Sequence, residues 1–251
     1  MALNPTPITS GQAVQSPLPE LFIASHRTTT SAMHDIAYIG NLAQWPNFTS
    51  EVSAKASEPW SSVVVDLEIQ ARDIKREDVY IADEMGLRGR FQQSVGQVLG
   101  TVFRAENVNI RFADFKSAGI PYRKTPDIAL VRYNRPFTLK AVGELKVPWI
   151  DDHGLAARRS DDSLWRATIG QVAEYMIDKR VPYGFHSTYT ETVFLRYICV
   201  NGMWRMEYSP IIDNEGTGVS VKQCFWYFSS LALGGRPIRD RTDKDDLISR
   251  D

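Results

Sequence analysis

Thr125-Pro126-Asp127-Ile128-Ala129-Leu130-Val131 and, a few residues on, Ala141-Val142-Gly143-Glu144-Leu145-Lys146-Val147 are the stretches on which the reading of this chain turns. Both read as short apolar strands, yet the first carries a carboxylate at its mouth and the second a carboxylate and an amine in its body. Charges in a low-dielectric interior are costly unless they are paired or bound to a metal. Alternate residues of a strand point the same way, so Glu144 and Lys146 share one face while Leu145 and Val147 take the other. Asp127 lies 17 positions before Glu144 (144 minus 127), and a hairpin through Asn134-Arg135-Pro136 would set the two carboxylates side by side. An Asp and a Glu so placed suit a hard divalent cation such as Mg²⁺, which takes one or two protein carboxylates and keeps waters and phosphate oxygens in its other positions. Such a cation acidifies a water and offsets charge on a phosphorane-like transition state, with Lys146 orienting that water or stabilising the developing charge.

Working outward, Leu87, Phe91, Val95, Val98 and Val102 have the spacing of one buried helical stripe and predict a helix over residues 83–103. Glu84 falls in the middle of that stripe and needs a partner there, which makes it a third candidate acid; the alternative is a first-turn glutamate that merely favours the helix dipole. Asp83 lies farther round the helix. A second helix is expected from residues 160–163 to 179, stopped by Pro182. On it Gln171 and Tyr175 are four apart and share a face, at the shoulder of an arc of Leu164, Thr168, Val172 and Met176. That amide and phenol read either as a phosphate-holding or bracing pair, or as an ordinary half-buried tyrosine with a polar neighbour.

Strands are expected at 107–113, 126–133 and 139–147, then at 183–188, 191–201 and 203–208 with Asn201-Gly202 as a tight turn, and a last helix at 217–233 before Gly234-Gly235. Residues 151–159 read as a charged loop, and residues 33–80 as an N-terminal elaboration with one strand at 62–67. Helix, three strands, helix, strands, helix is the order of an α/β (α+β) domain, a mixed central sheet flanked by helices. Residues 1–32, rich in Pro, Ser and Thr, are expected to be a flexible leader, 33–236 one domain, and 237–251 a polar tail.

With 29 basic against 30 acidic residues the chain exerts no global pull on polyanions or membranes. Any attraction for nucleic acid must be local, and Arg123, Lys124, Arg132, Arg135, Lys140, Arg158, Arg159 and Arg166 gather near the motif, interleaved with Asp151, Asp152, Asp161 and Asp162. Two cysteines form no disulfide framework and have no metal-ligand spacing, so a reducing intracellular compartment, cytoplasm or nucleus, is expected. No secretory signal, transit peptide or membrane span reads from the sequence. Of four histidines only His153 is placed to visit the site, and Phe225-Trp226-Tyr227-Phe228 reads as core.

Pro126-Asp127 followed by Glu144-Leu145-Lys146 resembles the signature of the PD-(D/E)XK nuclease superfamily, and Gln171-Val172-Ala173-Glu174-Tyr175 resembles the Gln-x-x-x-Tyr motif of its RecB-like and phage-exonuclease branch. The stretch from Tyr183-Gly184-Phe185-His186 to Phe194-Leu195-Arg196 looks like the fungal nuclease-like proteins often fused to protein-kinase-like domains, although no kinase motif reads from these residues. The resemblance spans about residues 84–200 within a motif region of 83–200. It implies a restriction-endonuclease-like core, Asp127, Glu144 and Glu84 as ligands of Mg²⁺ or Mn²⁺, Lys146 as catalytic lysine, and Gln171 with Tyr175 as auxiliary residues. The activity it implies is phosphodiester hydrolysis in nucleic acid, DNA first, by metal-activated water. The rival readings are an inactive nuclease-fold module that binds nucleic acid or protein, and a structural domain built around a Glu-Lys ion pair.

Overall fold

A computed structural model describes residues 8–30, 35–62, 65, 77–134 and 136–250. The first part of the chain forms α1 (Ser10–Gln15), β1 (Phe22–Ile23), β2 (Ala37–Tyr38), β3 (Leu42–Gln44), α2 (Phe48–Ala56), β4 (Tyr80–Ile81), α3 (Glu84–Phe91), a π-helical turn (Gln92–Gln97), α4 (Val98–Ala105) and β5 (Ile110–Ala113). Then come β6 (Ile128–Arg132), β7 (Thr138–Leu145), α5 (Leu155–Arg159), α6 (Asp162–Lys179), β8 (Tyr183–Ser187), β9 (Glu191–Val200), β10 (Met203–Tyr208), β11 (Ile212–Asp213), α7 (Val221–Gly234) and β12 (Ile248–Ser249). No helix among the described residues is long and apolar enough to cross a membrane.

The central sheet runs β3-β10-β9-β8-β7-β6-β5, with β11 on β9. It is mixed: β5, β6 and β7 pair antiparallel, β7 and β8 parallel, β8, β9 and β10 antiparallel, and β10 with β3 parallel. Parallel neighbours need a crossover, and α5 and α6 supply it between β7 and β8. Both sheet faces are covered, which is why Ile128-Ala129-Leu130-Val131 is apolar without interruption. Ile128 and Leu130 pack with Leu87, Phe91, Val95 and Phe225 on the α3, α4 and α7 side, while Ala129 and Val131 pack with Trp165, Ile169 and Val172 of α6. The fold is therefore mixed α/β, a large mixed sheet flanked by helices.

The expected strands and long helices stand within a few residues of their predicted ends, and all five residues of the stripe from Leu87 to Val102 are buried. The π-helical turn interrupts that helix without turning its apolar face away. Asn201 (φ 51°) and Gly202 (φ 83°) both adopt left-handed backbone, as a two-residue hairpin demands. The last helix begins at Val221 rather than 217, because Ser220 and Gln223 form a reciprocal capping box there. Residues 151–159 are not an open loop: a short 3₁₀ turn (Asp151–His153) leads into α5, whose start is held by Glu191 accepting the Leu155 N–H at 2.6 Å. The strand expected at 62–67 lies largely outside the described residues. Leu164, placed on the apolar arc of the second helix, is exposed.

Both ends differ from expectation. Residues 8–30 of the expected leader are folded: Thr9 and Gln12 form a capping box that starts α1, whose Ala13 and Val14 are fully buried, and β1 pairs with β4, while the remainder of 1–32 lies outside the described residues. The tail folds back: Ile238, Leu247 and Ile248 are buried and β12 pairs with β2. These short segments gain their order from burial against distant partners, which local composition does not reveal.

Lys222 of α7 joins the N-terminal segment to the core. It is fully buried, with Nζ donating to Ser16 Oγ at 2.6 Å and to the Pro17 carbonyl at 3.2 Å. Burial pushes its ammonium down to about 7. In the unfolded chain the group keeps an ordinary pKa of ~10.4, so between these values the unfolded chain holds a proton that the folded chain lacks, and stability rises with pH by at most ~1.4 kcal/mol per unit. Lys222→Met is expected to gain stability over the parent by roughly 2 kcal/mol more at pH 7 than at pH 9. The lost contacts to Ser16 and Pro17 weigh equally at both pH values, so the change with pH carries the test. Urea denaturation of both proteins at the two pH values reads it, and a difference independent of pH contradicts the buried-ammonium account.

Candidate metal centre

The two opening stretches meet as the antiparallel pair β6 and β7, with Ile128 opposite Gly143. Asp127 immediately precedes β6, and its Oδ2 accepts the Leu145 N–H at 2.9 Å, so the carboxylate is clamped to the end of β7 beside Glu144. Lys146 follows β7 and continues its pairing through its own N–H to the Ser187 carbonyl. Alternation then brings the Lys146 ammonium onto Glu144 Oε1 at 3.0 Å. Asp83 is the N-cap of α3, accepting the Gly86 N–H at 2.7 Å, and this cap sets Glu84 at the first helical position, where Lys146 Nζ reaches its Oε2 at 3.1 Å. Glu84 is thus both a first-turn acid and a residue facing the site.

One carboxylate oxygen from each of Glu84, Asp127 and Glu144 lies within 4.8 Å of the others, the spacing of groups that can hold one metal ion. Asp127, Glu144 and Lys146 are each about 3% exposed, and Glu84 is half-buried. From α6, Gln171 Nε2 donates to Glu144 Oε1 at 2.8 Å and to the Tyr175 hydroxyl at 2.6 Å. All six residues expected at a site line one cleft of about 400 Å³, together with Ile36, Arg88, Lys124, Thr125 and Glu174.

Burial is the dominant force on these groups. It raises the Asp127 carboxyl, against the Leu145 N–H and the Arg88 guanidinium, and it raises the Glu144 carboxyl further because Asp127 repels it. Burial also works against the Lys146 ammonium, but Glu144 and Glu84 prevail and hold its pKa above the usual lysine value. Burial and the Glu144 charge keep the Tyr175 phenol protonated well past its usual range. Glu144 Oε2 is buried and has no hydrogen-bond partner among the described residues. A buried carboxylate oxygen left in that state is expensive, and an oxygen donor beside two further carboxylates is what a hard divalent cation takes. The donor set therefore fits a metal.

Several residues here escaped the sequence reading. Arg88, one helical turn after Glu84, ion-pairs with Asp127. Glu174, between Gln171 and Tyr175, is fully buried and receives Lys124, Lys244 and Arg250. Burial opposes its charge, but these three cations hold its carboxyl below the usual range. The signals were present, an Arg at i+4 from a candidate ligand and an acid inside an apolar helix face, but their partners lie far off in sequence. Of the expected basic track, Lys124 alone among the described residues lines the cleft. Arg132, Lys140 and Arg166 are spent on the carbonyls of Leu233, Gly235, Tyr38 and Gly40, and Arg158 and Arg159 on Thr168 and Tyr208. His153 does not enter the cleft; its Nδ1 faces the Val147 carbonyl at 2.9 Å and steadies the turn after Lys146.

No protein-family model, no curated protein and no solved structure matches this chain.

Proposed function

We propose that this chain is a Mg²⁺- or Mn²⁺-dependent nuclease of restriction-endonuclease-like type, hydrolysing phosphodiester bonds in nucleic acid, with DNA the favoured substrate. The observation that carries the proposal is the trio Glu84, Asp127 and Glu144 gathered at one cleft, with Glu144 Oε2 buried and unpartnered among the described residues and Lys146 bridging two of the acids. A divalent cation held by the three carboxylates would lower the pKa of a water and neutralise charge on the phosphodiester. Asp127 and Glu144, clamped by the Leu145 N–H and by Gln171, hold their oxygens in place before any ligand arrives, so little reorganisation is needed at the moment of reaction. Glu144 and Glu84 hold the Lys146 ammonium above its usual pKa, and its role would be to orient the attacking water or to stabilise the developing negative charge. Tyr175, also protonated, braces Gln171. The DNA preference rests on the motif resemblance, and the phosphodiester class on the motif and on the cations Arg88, Lys124 and Lys146 set around the acids.

Incubating the purified protein with single- and double-stranded DNA and RNA in Mg²⁺, Mn²⁺ or EDTA tests the proposal. Cleavage is expected with either metal and none in EDTA. Retention of an oligonucleotide without cleavage would replace the enzyme with a binding module of the same fold, and neither binding nor cleavage would leave the ion pair as a structural device.

A further inference from the structure

Arg88 and Glu84 are separated by one turn of α3 and therefore project from the same helix face. The Arg88 guanidinium lines the cleft, its Nη2 pairs with Asp127 Oδ1, and its side chain is 37% exposed. Its Nε is buried and finds no acceptor among the described residues. The other cleft cations are committed, Lys124 to Glu174 and Lys146 to Glu84 and Glu144. Both Asp127 oxygens have partners, Oδ2 the backbone Leu145 N–H and Oδ1 the side chain of Arg88, and only the second partner can swing away. Oδ1 is thus the oxygen that a metal and the arginine both seek. A guanidinium offers five N–H donors in a planar fork, which a single carboxylate oxygen does not satisfy and which the oxygens of a phosphate match.

We infer that Arg88 has two positions of work: it neutralises Asp127 while the carboxylates hold no metal, and once they hold one it turns its guanidinium to a phosphate group of the nucleic acid. The inference rests on the metal site proposed above. It assigns Arg88 a phosphate subsite next to the trio and makes the arginine a built-in competitor of the metal. One residue then has opposite effects on two ligands, which a purely structural ion pair does not produce.

Calorimetric titration with Mn²⁺ at pH 8, then with thymidine 5′-monophosphate at saturating Mn²⁺, reads both effects on the full chain, Arg88→Met and Arg88→Lys. Removing the competing charge is expected to tighten Mn²⁺ binding about two- to fivefold in Arg88→Met, the scale of one partly exposed ion pair. Nucleotide binding to the Mn²⁺-loaded Arg88→Met protein is expected to weaken about tenfold or more, the scale of a charged hydrogen bond lost. Arg88→Lys, which keeps the charge and loses the fork, should hold Mn²⁺ like the parent and bind the nucleotide more weakly. Mn²⁺ binding seen only in Arg88→Met would support the inference equally. Unchanged or weaker Mn²⁺ binding in Arg88→Met, or an unchanged nucleotide affinity, overturns it while leaving the metal site standing. Absence of Mn²⁺ binding in all three proteins overturns the metal site and this inference together.

Discussion

Asp127→Asn and Lys146→Met are each expected to lower metal-dependent cleavage by ~10²–10³-fold, the loss that follows removal of one preorganised charge-stabilising group. Asparagine keeps the shape of Asp127 and an oxygen for the Leu145 N–H, so the clamp at 2.9 Å survives while the charge offered to a cation does not. Lys146→Met keeps the stem and removes the ammonium that lies 3.0 Å from Glu144 and 3.1 Å from Glu84. The two variants differ in stability. Burial raises the Asp127 carboxyl, which offsets the ion pair to Arg88 that asparagine gives up, and Asp127→Asn should melt close to the parent. Lys146→Met leaves Glu144 buried beside Asp127 without its counter-charge and should melt lower. Loss of activity without loss of stability in Asp127→Asn separates chemistry from folding; cleavage unchanged in both variants would place the activity at another site or in a contaminant.

Gly143→Ala is expected to be strongly destabilising. A Cβ at this position would lie 2.1 to 2.6 Å from three ring atoms of Phe185 on the neighbouring strand β8. The ring has nowhere to go, for it stacks on Phe91 at 5.7 Å and stands edge-on to Phe225 at 4.8 Å. Overpacking of a close-packed core costs roughly 1–3 kcal/mol, and at about 2–4 °C per kcal/mol for a domain of this size the melting temperature should fall by several degrees. Because Glu144 is the next residue, a shift of β7 should also weaken Mn²⁺ binding. Gly143→Ala combined with Phe185→Leu, which makes room for the methyl group, should recover part of both losses. A melting temperature equal to the parent's would show that the β7 and β8 backbones adapt freely, contrary to the packing described.

What the sequence reveals follows from the range of the interaction involved. The strands at Ile128 and Thr138 are legible because an apolar run covered on both faces is a local pattern, and the α3 stripe because burial repeats every three or four residues across the π-helical turn. Glu84, Glu144 and Lys146 stand out for a related reason, as charges where their own element's periodicity calls for burial, whereas Asp127 at the mouth of its run and the Gln171-Tyr175 pair at a helix shoulder stand out through spacing and motif resemblance. Arg88 is invisible on those terms, since a charged residue on a helix shoulder is ordinary and its meaning comes from Asp127, 39 positions away. The tail is likewise charged by composition, and partners far off in sequence, Glu174, 76 positions before Arg250, Asp178 for Lys244 and Tyr197 for Asp240, turn that charge into structure. The expected basic track misled for the converse reason: arginines and a lysine near the motif in sequence are consumed by backbone carbonyls elsewhere in the fold.

Anomalous diffraction from crystals grown with Mn²⁺ shows whether Glu84, Asp127 and Glu144 together hold one divalent cation. A single strong anomalous peak is expected in the cleft, about 2.0–2.3 Å from carboxylate oxygens of Asp127 and Glu144 and adjacent to Glu84, absent from crystals of Asp127→Asn. Saturating Mn²⁺ with no peak among the three carboxylates, and with Lys146 still bridging Glu84 and Glu144, would contradict it.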